Sequence, residues 1–204
     1  MSTTTTTSAS RPAHAATWRT VDIVVAAVIA VAFGVVFWAW NQLWAAVSPA
    51  FSGLPPLQGF MYGVWLLPGV LGAMVIRKPG AAVFTELVAA IVSALLGNQW
   101  GLTVIWYGLV QGAAAEAVFL LRRYRSWSLL TAVVAGAAAG LGAAVLDLLY
   151  YYPDWSTGWM TTYTALVAAS AAVIAGLGAW LLVRALAPTG VLSPFRSGRE
   201  QTPV

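Results

Sequence analysis

Three carboxylates interrupt otherwise apolar sequence: Glu86, Glu116 and Asp147. A carboxylate is costly in hydrocarbon, so each must face a bundle interior or a hydrated cavity, where it can tie down a neighbouring helix or attract a cation. Asp147 sits near one end of its apolar run, within reach of water or a cationic ligand. Glu86 and Glu116 lie about 8 Å from the opposite rim by helix rise. They could bond to each other or to neighbouring helices, and structure and function stand level for this pair. Glu116 is rotated about 140° from Gln111 on a straight helix, so the two do not face one narrow pocket. Glu116 is carried as a candidate ligand group and Glu86 as an intramembrane acid without an assigned role.

Amides and aromatic rings gather toward Asp147's end. Asn41, Gln111 and the Asn98, Gln99, Trp100, Gly101 turn offer donors and acceptors together. Tyr107 and Gln111 share one helical face; Trp159, Tyr163 and Ser170 share another. Of the 18 Trp and Tyr residues, four (Trp18, Tyr124, Trp127 and Trp180) fall in one half of the expected bundle and 14 in the other. Aromatic belts at two membrane interfaces would be more even. The excess, which includes Trp40, Trp44, Tyr62, Trp65, Trp106 and Trp155, predicts an aromatic-walled cavity. Such walls suit flat or cationic ligands, because an aromatic face attracts cations and stacks on heteroaromatic rings. Lipid anchoring and interhelical hydrogen bonding are the alternatives for individual residues.

Several other chemistries lack their residues. There is no cysteine, and the one histidine, His14, lies in a polar N-terminal stretch. A Ser-His protease and a His- or thiolate-held metal within the bundle are therefore unsupported. The single lysine, Lys78, precedes Pro79, so there is no P-loop, which needs a Gly-rich turn ending in Lys and Ser or Thr. The expectation is a chain with no catalytic residue, no metal, no cofactor and no ATPase of that type.

Six apolar runs must position these groups: Val21 to Val47, Leu57 to Ile76, Ala81 to Leu96, Leu102 to Leu121, Trp127 to Tyr150 and Trp159 to Leu186. Each is close to the ~20 residues that cross ~30 Å of hydrocarbon, the third being marginal. Basic residues fall in the N-terminal segment (Arg11, Arg19), the second turn (Arg77, Lys78), the fourth turn (Arg122, Arg123, Arg125) and the C-terminal end (Arg184, Arg196, Arg199). The first, third and fifth turns have none. Because Lys and Arg accumulate on the cytoplasmic side, the pattern predicts an all-α integral membrane protein, a six-transmembrane-helix bundle with both termini cytoplasmic. At 60% hydrophobic and 8% charged residues, there is no room for a soluble domain. Residues 1–19 read as a disordered tail, 20–187 as the membrane domain and 188–204 as a second polar tail. The net charge of +4 follows this topology and contact with the lipid bilayer, and implies no nucleic-acid partner. Ala26, Ala30 and Gly34 form a small-residue stripe on the first helix, suited either to internal packing or to docking a second membrane protein.

The segments DIVVAAVIAVAFGVVFWAWNQLW from Asp22, LPGVLGAMVIRKPGAAVFTELVAAIVSALLGNQWG from Leu67 and YGLVQGAAAEAVFLLRRYR from Tyr107 resemble the substrate-binding S components of energy-coupling factor (ECF) vitamin transporters. Within that group they resemble the YkoE-like members; the GNQWG and RKPGA strings are the most specific part, and the likeness covers about half the chain. The resemblance implies a six-helix bundle in the bacterial plasma membrane that captures thiamine or its hydroxymethylpyrimidine precursor on the outer face. It also implies a transmembrane T component and two cytoplasmic ABC ATPases as partners. S components meet the T component through an AxxxA-type stripe on the first helix, which carries over to Ala26 and Ala30, with Gly34 extending it. The substrate contacts expected on these grounds are Trp40, Asn41, Trp44, Trp65, Asn98, Gln99, Trp100, Tyr107, Gln111, Glu116, Asp147, Trp159 and Tyr163. Some YkoE-like proteins carry a cobalt-permease label, which fits poorly with a bundle lacking His and Cys. The rival reading is a stand-alone facilitator, which needs a continuous polar path. A purely structural assembly protein would leave the aromatic excess without a purpose.

Overall fold

A computed structural model describes residues 17–200; the stretch 1–16, with its expected disorder, lies outside the described residues, as do 201–204. The described chain is all helical: α1 (Thr20–Val47), a 3₁₀ helix (Pro55–Leu66) running into α2 (Leu67–Ile76), α3 (Ala81–Leu96), α4 (Thr103–Leu121), α5 (Leu129–Tyr150), α6 (Thr157–Ala171), a π segment (Ala172–Leu177), α7 (Gly178–Leu186) and a short α8 (Arg196–Arg199). Five continuous helical stretches are long and apolar enough to cross a membrane: Thr20–Phe51, Pro55–Ile76, Thr103–Leu121, Leu129–Tyr150 and Thr157–Thr189. The 16-residue α3 is apolar but shorter.

Hydrogen bonds at the helix ends explain several boundaries. The Asp22 carboxylate accepts from the Arg19 backbone N–H at 2.6 Å, where an acid also suits the positive end of the α1 dipole. Ser128 and Ser156 cap α5 and α6 by accepting from the backbone N–H groups of Thr131 and Trp159. Glu116, from the interior of α4, reaches the start of α3. It accepts from the Gly80 and Ala82 N–H groups at 2.7 and 2.8 Å, satisfying donors that have no partner within the helix. Its Oε1 also accepts from the Tyr124 hydroxyl at 2.8 Å. That bond and, more strongly, burial raise the Tyr124 pKa.

α3 packs between α1 and α4 and against α2. Close approach depends on small residues. Ala26 and Ala30 are fully buried, and a Cβ on Gly34 would lie 3.1 Å from the Ala89 carbonyl oxygen on α3. The stripe expected to dock a T component is thus occupied by the chain's own α3. On the opposite side, a Cβ on Gly136 of α5 would lie 2.8 Å from the Gly176 backbone N, so helix and π segment touch backbone to backbone.

Basic residues collect at one end. Lys78 binds the Asp22 carboxylate and the Thr17 carbonyl oxygen at 2.5 and 2.7 Å, Arg77 pairs with Glu200, and the Arg77 guanidinium lies 5.6 Å over the Trp127 ring. The segment 188–200, read as a polar tail, folds back onto this end: Leu192 and Phe195 are buried, and the Ser197 hydroxyl donates to the Val75 carbonyl oxygen at 2.9 Å.

Candidate functional site

At the other end of α1, a cavity of about 500 Å³ reaches Ser48 and Pro49 after α1, Trp100 and Thr103 at the α3–α4 connection, and Tyr151 and Tyr152 after α5. Asp147 forms part of its wall, with the Tyr107 and Tyr163 hydroxyls donating to Oδ1 and Oδ2 at 2.7 and 2.6 Å. Among the described residues it is the only charged one in the lining. No Arg or Lys offsets the carboxylate, so the cavity favours a cation.

The 3₁₀ geometry of Pro55–Leu66 supplies one wall. Three residues per turn place Gly59, Tyr62 and Trp65 in one straight row, which an α-helix would turn by about 60° at each step. Gly59 approaches α6, where a Cβ would lie 2.9 Å from that of Leu166, while Tyr62 and Trp65 line the cavity. The Ser170 hydroxyl enters the 3₁₀ ladder: it donates to the Phe60 carbonyl oxygen at 2.7 Å and accepts from the Gly63 N–H at 3.0 Å. Those are the two groups that an i to i+3 bond would have joined.

Trp65 is the hub of the aromatic wall. Its ring meets those of Trp40, Trp44, Tyr62 and Trp100 edge to face, at centroid distances of 6.5, 5.5, 5.4 and 5.8 Å. Its indole N–H donates to Asn41 Oδ1 at 2.8 Å, and Asn41 Nδ2 donates to Ser93 at 3.2 Å. Asn41 therefore fixes the ring. Across the cavity, Tyr152 stacks on Trp155 at 4.0 Å and meets Tyr163 edge to face. Burial, and next the Asp147 charge, push the Tyr152 phenol up to about 12, so it stays a neutral donor. Gln111 is only 5% exposed and lines the cavity, and its side-chain amide makes no hydrogen bond to a described residue, which leaves that amide open to a ligand.

The cavity wall thus brings together Asn41, Trp44, Trp65, Trp100, Tyr107, Gln111, Asp147 and Tyr163 from the sequence-derived set. Five others stand away from it. Trp40 lies behind Trp65 and donates to the Met61 carbonyl oxygen at 3.0 Å. Asn98 closes its own turn by accepting from the Trp100 N–H at 2.8 Å, and Gln99 is exposed. Trp159 is 40% exposed against Trp155, and Glu116 is bound to the α3 start. Glu86 is buried outside the cavity, with Oε2 accepting from the Gly69 N–H at 2.7 Å and Oε1 without a partner. The structure adds Gln58, Ser93, Tyr151 and Tyr152, along with Tyr62, which the sequence marked only as part of the aromatic excess. For Tyr151 and Tyr152 the available signal was a tyrosine run ending at Pro153.

Among the described residues, no three His, Cys, Asp or Glu side chains come together. One carboxylate among phenols is a poor donor set for a borderline transition metal.

Comparison with known proteins agrees with this architecture. Residues 21–142 match the family described as "ABC-type cobalt transport system, permease component". A Bacillus subtilis (strain 168) protein named as an HMP/thiamine permease, YkoE, is 36% identical over 184 residues, covering 90% of this chain and 92% of the relative. A crystal structure of an S component of an ECF transporter superposes with a TM-score of 0.86 at 36% identity, covering 90% of this chain and 93% of the other. With its apolar helices, the chain is a multi-pass protein of the bacterial plasma membrane. It belongs to the YkoE-like family, within the substrate-binding S components of ECF transporters.

Proposed function

We propose that the protein captures thiamine or its hydroxymethylpyrimidine precursor from outside the cell. It spans the membrane six times, with α3 as the short third span and both termini in the cytoplasm. Uptake is then driven by a T component and two ABC ATPases supplied by partner chains. The observation that carries this reading is the single uncompensated carboxylate, Asp147, in an aromatic-walled cavity at the end remote from the basic rim. Thiamine joins a cationic thiazolium to an aminopyrimidine; the first suits Asp147 and the rings, the second the free Gln111 amide. The relative's name as an HMP/thiamine permease supports the same substrate class.

Identification by mass spectrometry of the small molecule that accompanies the protein through purification tests this reading. Thiamine or hydroxymethylpyrimidine, released on denaturation in about one copy per chain, is the expected result. A chemically unrelated ligand would overturn the substrate assignment.

A further inference from the structure

At the basic end, a second cavity of about 470 Å³ lies between the α2–α3 turn, the α4–α5 turn and the C-terminal segment. Six cationic side chains line it, Arg19, Arg77, Lys78, Arg125, Arg196 and Arg199, against one lining carboxylate, Glu200. Asp22 supplies a second negative charge, 2.9 Å from Arg19 and 2.5 Å from Lys78. Glu200 is shared between Arg77 and, at 3.8 Å, Arg196. Arg199 donates to the carbonyl oxygens of Ser193 and Pro194, which orient its guanidinium without neutralising it. So dense an excess of positive charge repels itself until an anion enters.

A separate observation concerns a residue of the same lining. The Arg77 side chain is only 8% exposed, and its Nε has no hydrogen-bond partner. A buried N–H without an acceptor is unfavourable, so the site is incomplete as it stands. Its guanidinium is already held over Trp127 and by Glu200, which fixes its orientation in the cavity wall. Guanidinium forks match phosphate oxygens, and Arg at such a site gives directional as well as charge recognition.

We infer that this cavity binds a phosphate group. Its level in the bundle favours a lipid source. Trp18, Tyr124 and Trp127 stand around this end, as rings do at a membrane interface, and a phosphodiester head group at that depth would meet Arg77, Arg125 and Arg196. Free inorganic phosphate offers the same oxygens.

The test uses the full chain in phosphatidylcholine nanodiscs doped with phosphatidylglycerol, with retained lipid counted by native mass spectrometry. A parallel calorimetric titration adds inorganic phosphate to undoped discs. Selective retention of phosphatidylglycerol, weakened about five-fold for each of Arg77→Gln and Arg125→Gln, would establish the lipid site. Saturable phosphate heat, lost in the same variants and without lipid selectivity, would assign the site to the free anion. If Arg77→Gln does not fold, Arg125→Gln with Arg196→Gln carries the test, since both side chains are exposed. Absence of both signals, or signals unchanged in a folded double variant, would overturn the proposal.

Discussion

Asp147 accepts from two phenols and meets no cation in the cavity wall, so its substitution separates charge recognition from shape. Asp147→Asn should weaken thiamine by on the order of ten-fold while barely changing the neutral pyrimidine, because only the cation has a Coulomb term. Isothermal titration with both ligands reads the difference, and equal weakening would remove Asp147 from cation recognition. Trp44→Ala should cost either ligand on the order of 1 kcal/mol, the scale of one ring contact. Asn98→Ala should leave both affinities within about two-fold, since that amide stands outside the cavity, accepts from its own turn and at most steadies Trp100. These contrasts mark what residue types disclosed. An acid in an apolar run must find an interior or a cavity, which made Asp147 legible. Residue type does not say whether a polar side chain will be satisfied elsewhere: the Asn98 amide is taken up within its own turn by the Trp100 N–H, and the Glu116 carboxylate by donors at the start of α3.

At the scale of elements, the 3₁₀ wall depends on a bond from another helix. Ser170→Ala removes the hydroxyl between Phe60 and Gly63 and should destabilise the protein by about 1–3 kcal/mol, the cost of stranding buried polar groups. Thermal denaturation in detergent measures it; an unchanged midpoint would mean the ladder closes on itself. Ala30→Leu should cost a further about 1–3 kcal/mol by overpacking the α1–α3 contact, and should lower ligand binding and thermal stability together. Loss of partner association alone, with stability intact, would return the stripe to a docking role. The apolar runs disclosed the helices themselves, because hydropathy and length follow from the cost of exposed backbone in lipid. They did not disclose the 3₁₀ stretch. Over twelve mostly apolar residues, periods of 3 and 3.6 are hard to tell apart, and tertiary contacts at Gly59, Gly63 and Ser170 decide between them. Nor did composition reveal that the C-terminal segment carries Leu192 and Phe195 back into the core.

The whole molecule pairs an aromatic cavity at one end with a basic rim at the other, and its proposed orientation is open to direct test. The sequence has no cysteine, so single thiols report cleanly. Ser52→Cys and Thr157→Cys, both exposed near the cavity end, should react with an impermeant reagent added to intact cells. Ser193→Cys, exposed at the basic end, should react only after permeabilisation; Ser197 is unsuitable because it is buried. Labelling of Ser193→Cys from outside would reverse the orientation. The central claim, that the aromatic cavity captures thiamine or its pyrimidine precursor, is tested most directly by titrating the purified chain, without nucleotide or partners, with thiamine, hydroxymethylpyrimidine and biotin while following tryptophan fluorescence. The account predicts saturable one-to-one quenching by the first two, none by biotin, and weaker quenching in Trp44→Ala. No saturable response to either thiamine or the pyrimidine, from protein that melts cooperatively, would contradict it.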